Sequence, residues 1–196
     1  MSGGVVSRAA RLLRRLGRRD HGAMVVEGVI MLPLLVWCFA GSWVFFDAYR
    51  AQSTNARAAY TIGDALSRES NYITPAYVDS LFALQDFLVT SGDTPRLRVS
   101  VFRYDAATDS YAVAWSIGRG TGVSLLTDGL LAGMRDELPV MPDHEIATLV
   151  ETWVDYSPVF DVGIVPFTFE DRVVTRLRFA GQLCFNPTGL IDDRIC

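Results

Sequence analysis

Residues Arg14 to Gln52 read RRLGRRDHGAMVVEGVIMLPLLVWCFAGSWVFFDAYRAQ, and the fold turns on how this stretch is taken. An arginine-rich run stops at Gly22, and from Gly28 to Phe46 there follow 19 residues without a charge. As a helix rising about 1.5 Å per residue this run covers about 28 Å, close to a bilayer hydrocarbon core of roughly 30 Å. The chain is therefore expected to cross a membrane once. Arg8, Arg11, Arg14, Arg15, Arg18 and Arg19 precede the run, and the first charge after it is Asp47. The positive-inside tendency then puts the N-terminus in the cytoplasm and the remaining 150 residues outside.

A removable secretory signal is the competing interpretation. It would need a shorter apolar core of about 7 to 15 residues and a small-residue cleavage site. Ala40, Gly41 and Ser42 are small, but Trp43 to Phe46 still follow, so a cut there would leave an apolar end exposed. A lipoprotein site at Cys38 is disfavoured by the bulky Val36 and Trp37 before it; Cys38 is more simply an apolar residue of the span.

Glu27 is the one acid carried to the edge of the run. At the centre of a spanning helix it would cost about 2.5 to 3.5 kcal/mol, whereas at a helix N-terminus it reaches the interface and the dipole favours it. A second role opens if the chain is cut after Gly22. Ala23 would then carry a positive amine, and Glu27, one turn along, could pair with it or with the amine of a neighbouring copy.

A basic leader ending in Gly22, then Ala23, a Glu at position 5 of the remainder and a long apolar helix resemble the class III signal of type IV pilins. The longer stretch GAMVVEGVIMLPLLVWCFAGSWVFFDAYRAQ is similar to the TadE/TadG-like family of pseudopilins, with Ala-x-Val-Glu, Leu-Pro-Leu-Leu, a Gly and then aromatics leading to Gln52. Pro33 corresponds to that family's proline early in the span, whereas Gly28 stands where these proteins often have Phe. Tyr156, Pro158 and Phe160 resemble the family's downstream Tyr-x-Pro-x-Phe region over a shorter match. The resemblance implies a minor pseudopilin of a tight-adherence (Flp-type) pilus in a bacterial inner membrane. Prepilin peptidase would cut it after Gly22, and its partners would be pilin or pseudopilin subunits and the assembly platform. Pro33 also has a purely physical consequence, since it leaves the Val29 carbonyl without its helical donor and tends to kink the span.

The expected organisation is a cytoplasmic leader over 1–22, a transmembrane helix over 23–46 and an extracytoplasmic α+β domain over 47–196. The helix is expected to continue past Phe46 through an Ala-rich segment to about residue 70. Tyr49, Ala56, Tyr60, Gly63 and Leu66 would form one face, with Gly63 a candidate break. Thr74 and Pro75 have the pattern of an N-cap and first helical residue, with Tyr77, Leu81, Leu84 and Leu88 as an apolar stripe. After Pro95 the period becomes two. Leu97, Val99 and Val101 alternate with arginines, YDAATDS turns the chain, and Tyr111, Val113, Trp115 and Ile117 alternate again, as in a β-hairpin. A short helix is expected over Leu125–Leu138, and two more strands within 145–160 and 170–183. The sum is a long N-terminal helix on a small antiparallel sheet, the type IV pilin layout.

Composition narrows the chemistry. The leader has net charge +5 and residues 47 to 196 carry −8, so the folded part is a poor partner for nucleic acid. All 18 basic residues are Arg; without Lys there is no Walker loop, Schiff base or Ser-Lys pair. GRGTG at 118–122 is expected to be a plain loop. His21 lies in the leader, and His144 with Glu145 lacks the second His of a zinc-protease helix. Asp192 and Asp193 are expected to be solvated. No catalytic, cofactor or metal site is expected. Cys184 and Cys196 lie in the part placed outside the cytoplasm, where they are expected to pair, the alternative being two free thiols. A terminal disulfide loop is also what the pilin resemblance implies. The competing function is an uncleaved single-pass protein whose head binds a partner or envelope ligand, and an extracytoplasmic enzyme is the least supported.

Overall fold

The computed structural model describes residues 20–89 and 94–196, with side chains from Val25 onward except that of Ile191. The leader up to Arg19 lies outside the described residues. Two compact units divide the described residues, one comprising those up to Phe46 with Val159–Ile164, the other those from Asp47 to Pro158 with Val165–Cys196.

A single helix, α1, runs over Asp20–Arg68 and passes through Pro33 and Gly63 without interruption. It is followed by α2 (Pro75–Leu88), the strands β1 (Arg96–Asp105) and β2 (Ser110–Arg119), a short helix α3 (Asp128–Gly133), and the strands β3 (Ile146–Tyr156) and β4 (Phe167–Arg176). All four strands are antiparallel neighbours in the order β2-β1-β3-β4. The architecture is α+β, a long N-terminal helix with a four-stranded antiparallel sheet.

The second unit has three layers. On one sheet face Ile62 and Leu66 of α1 and Val78 and Leu81 of α2 pack on Leu97, Val99, Val101, Trp115 and Val150. Full burial of side chains of this size contributes about 1.5 to 3 kcal/mol each. The other face is covered by the connection from β2 to β3, where Leu126, Leu131, Leu138 and Met141 close over Phe102, Tyr104, Tyr111 and Leu149. With both faces covered, β3 is buried along most of its length.

The helix face that meets the sheet is made of Asn55, Ala58, Ala59, Ile62, Gly63 and Leu66, all buried, while Tyr49 and Tyr60 stand exposed. The tyrosine-centred face expected from sequence is corrected accordingly: small residues let the helix lie close to β4, and the tyrosines turn outward. Gly63 marks a close approach. A Cβ there would lie 2.8 Å from Thr175 Oγ1, so this glycine serves packing and does not break the helix.

Thr74 caps α2, its side chain accepting from the Tyr77 amide, with Pro75 in the first turn. The buried stripe of α2 is Val78, Leu81 and Gln85, with Tyr77, Leu84 and Leu88 at its margins. The β1–β2 hairpin forms with a bulge: Val101 faces Trp115 but Phe102 faces Val113, leaving Ala114 over. Trp115 therefore belongs to the helix-facing core and Tyr111 to the opposite one, although the sequence alternates evenly between them. The helix expected over Leu125–Leu138 is shorter, six residues of α3 followed by a 3₁₀ turn at Arg135–Glu137. Strand β4 starts and ends earlier than expected.

Candidate functional site

The apolar half of α1 is the candidate site of membrane contact. From Val25 to Phe46 nearly every side chain stands open, and only 6% of its most apolar 18-residue window is buried. A helix that is apolar on all sides and uncovered is out of place in water. By length and composition it is the single candidate membrane span among the described residues. Within it Val44, 1% exposed, is the sole buried residue.

The residues singled out for processing fall at the start of this helix. Gly22 and Ala23 lie within the helix, close to the first described residue, Asp20. Glu27 is one turn further along and solvent-exposed. Pro33 lies inside the helical run and withholds the bond that the Val29 carbonyl would accept. Further along, Ser42 Oγ donates to the Cys38 carbonyl at 2.9 Å, so a polar side chain in the apolar run is satisfied by its own helix.

Where the apolar run ends, Asp47 accepts a hydrogen bond from the Tyr156 hydroxyl at 3.1 Å. Tyr156 is the last residue of β3 and stacks among Phe167 and Phe169. Burial first, and then the Asp47 carboxylate that takes its hydrogen bond, push the Tyr156 phenol above its ordinary pKa. One turn pair further along α1, Asn55 Nδ2 donates to Asp171 Oδ2 at 2.6 Å. The first charged residue after the apolar run is thus tied directly to the end of the central strand.

A row of paired charges lies on the other sheet face. Arg98, Glu151 and Arg172 stand opposite one another on β1, β3 and β4. Arg98 meets Glu151 through two bonds, 2.5 and 2.6 Å, donates to the Ser124 carbonyl at 3.0 Å and lies over the Trp153 ring. Arg172 adds a contact to Glu151 at 3.6 Å and pairs with Glu137 and Glu170. Every charge in this row has an opposite partner within the protein, an arrangement that favours one strand register. Neither Arg98 nor Glu151 was singled out from sequence; the only hint was an arginine alternating with apolar residues in β1.

The remaining sequence candidates are dispersed. Cys184 and Cys196 are joined in a disulfide. The pair closes a loop whose Phe185 exchanges backbone bonds with Ile195, while Cys184 and Asn186 bracket Ile73. Cys38 is free and exposed on the apolar run. His144 is exposed beside Asp143, whereas Glu145 pairs with Arg176. Asp193 accepts from Thr188 Oγ1 at 2.6 Å. In the GRGTG connector Gly120 takes φ +94°, and a Cβ there would sit 2.8 Å from the Pro95 carbonyl, so its glycine serves a tight turn. Among the described residues no group of three or more His, Cys, Asp or Glu is placed to hold a metal ion. No protein-family model, no curated protein and no solved structure matches the chain.

Proposed function

We propose that the chain is a minor pseudopilin of the TadE/TadG-like kind, acting structurally in assembly of a Flp-type pilus. One observation carries the proposal: a single 49-residue helix whose first half is apolar and uncovered and whose second half supplies one layer of an α+β core. A subunit that works by lateral packing of its span uses such a helix to link that packing to its folded part.

In this proposal the arginine-rich leader stays in the cytoplasm, the α+β domain lies in the periplasm, and prepilin peptidase cuts between Gly22 and Ala23. The bond lies within the helical run that includes Asp20, so the peptidase needs to unwind the helix locally to reach it. The new amine at Ala23 and the Glu27 carboxylate are then one turn apart, and a neighbouring pilin or pseudopilin subunit offers the same pair for charge matching inside the bilayer.

N-terminal sequencing of membrane-extracted protein tests this. The expected mature chain begins at Ala23, and Gly22→Val is expected to retain the leader. A wild-type protein still beginning near Met1 overturns the processing step. The second reading is an uncleaved single-pass protein whose periplasmic head binds a partner. It is favoured by the helix already being formed at Asp20, across the cut site, and intact-mass measurement separates the two.

A further inference from the structure

The connection from β3 to β4, residues 157–166, reads SPVFDVGIVP, with Asp161 its only charge. Val159 and Val165 are 71% and 75% exposed, and Phe160 is 48% exposed. The turn between β1 and β2 is different in kind: it is bounded by Asp105 and Asp109 and held by carboxylate-to-amide bonds. An apolar loop on a chain with a candidate span needs a cover, and three observations say what it is. Tyr156, from which the loop departs, is bonded to Asp47, the first charged residue after the apolar run. Val159–Ile164 groups in one compact unit with the chain up to Phe46, and not with the sheet whose strands it connects. Trp43, Phe45 and Phe46, all exposed, give the end of the run the aromatic composition found where helices leave a bilayer.

We propose that the loop after β3 is a second membrane contact, with Val159 and Phe160 entering the interfacial layer of the leaflet at the C-terminal end of the span. The partner is the lipid boundary between headgroups and acyl chains, where aromatic and branched side chains are buried about 5 to 10 Å deep. Asp161 is compatible with that position, because its carboxylate accepts the Gly163 amide at 3.2 Å and can remain at headgroup level. The inference rests on α1 crossing the membrane.

The test uses the full chain reconstituted in phosphatidylethanolamine and phosphatidylglycerol vesicles, labelled at single cysteines with an environment-sensitive fluorophore. In a Cys38→Ala background, Phe160→Cys and, as a second position, Val159→Cys are compared with Ala107→Cys on the β1–β2 turn. Nitroxide lipids labelled near the headgroup are expected to quench positions 160 and 159 about twofold or more above position 107, given the shallow depth of interfacial residues. Equal quenching at all three positions overturns the proposal. A blue-shifted but unquenched label at 160 also overturns it, since protein and not lipid would then cover the loop. The native Cys38 thiol, labelled in the wild type and probed with a nitroxide deep in the acyl chain, reports the span separately. Quenching there without quenching at 160 removes the loop contact alone, and no quenching at Cys38 removes both.

Discussion

Arg98 on β1 and Glu151 on β3 sit directly opposite across paired strands and join by two hydrogen bonds, at a point where the Glu151 side chain has no solvent exposure. Two charges taken from water are held there by each other, by the Ser124 carbonyl and by the more distant Arg172. Removing Arg98 leaves Glu151 buried with only the 3.6 Å contact to Arg172, at a cost of up to about 3 to 5 kcal/mol, whereas replacing both partners with apolar residues is often close to neutral. Arg98→Met alone is therefore expected to lower the unfolding midpoint of the full chain in detergent by about 10 °C. Arg98→Met combined with Glu151→Leu is expected to recover most of that loss. Circular dichroism melts of the three proteins check this, and strictly additive losses would count against a coupled pair.

Gly63 and Thr175 are in near contact, and the outcome of changing them follows from two opposed effects. Gly to Ala in a helix gains up to about 1 kcal/mol of propensity. A methyl group 2.8 Å from Thr175 Oγ1 forces the helix away from β4, at a typical overpacking cost of about 1 to 3 kcal/mol. Gly63→Ala is thus expected to destabilise, and Thr175→Ala in the same chain to relieve the loss. A double-mutant cycle should give a coupling of about 1 kcal/mol. Gly63→Ala that stabilises the protein regardless of residue 175 would contradict the close approach.

Asp171 carries a pH dependence with a definite sign. Burial raises its pKa above 3.8, and the hydrogen bond from Asn55 offsets part of the rise. The folded state therefore binds its proton more tightly than the unfolded state does. The stability this contributes is complete below the unfolded value and is lost as pH rises through the folded one. Asp171→Asn removes the titration. The midpoint of the variant minus that of the wild type is expected to grow more positive between pH 3.5 and 7, and a difference independent of pH would refute the assignment.

The Cys184–Cys196 disulfide secures a segment that otherwise has few regular bonds. Leu183 accepts from the Trp115 indole at 2.7 Å, Phe185 stacks on Trp115, and Cys184 and Asn186 hold Ile73 between α1 and α2. Closing a loop of this length stabilises by roughly 2 to 3 kcal/mol in the chain-entropy account. Serine at both positions is expected to lower the midpoint by several degrees and to shift Trp115 fluorescence to the red. Amide exchange should quicken at Ile73 and Asn186 and stay slow in β1 and β3.

What could be read from the sequence was what is local. The uncharged run announced a long apolar helix, Thr74 and Pro75 announced α2, and the turn residues after Asp105 announced a hairpin. What could not be read depended on partners far along the chain. Period-two alternation from Tyr111 to Ile117 gives no sign that Ala114 is left over, because the bulge is defined by the opposite strand. Tyr49 and Tyr60 outrank alanine in any count of apolar residues, yet the sheet selects Ala58, Ala59 and Gly63 because they let backbones approach. Arg98 looks like a solvated residue until the segment after Ser124 folds over it, and Glu151, its partner, lies 53 residues away. The disposition of Asp47 against Tyr156 is likewise a long-range fact, separated by 109 residues.

The strand order has a consequence for how the sheet is put together. Strands β1 and β2 form one local hairpin and β3 and β4 another, and only the β1–β3 seam joins them. Arg98 belongs to the first hairpin and Glu151 to the second, where Arg172 of the same hairpin faces it at 3.6 Å, so it is the first half that is made with an unneutralised charge on the face that must later be covered. That half cannot bury the face prematurely, on itself or on a stray neighbour, without stranding an ion away from water. The seam is therefore self-proofreading: collapse is penalised until the correct hairpin arrives in the correct register, and only then does the charge become a bond.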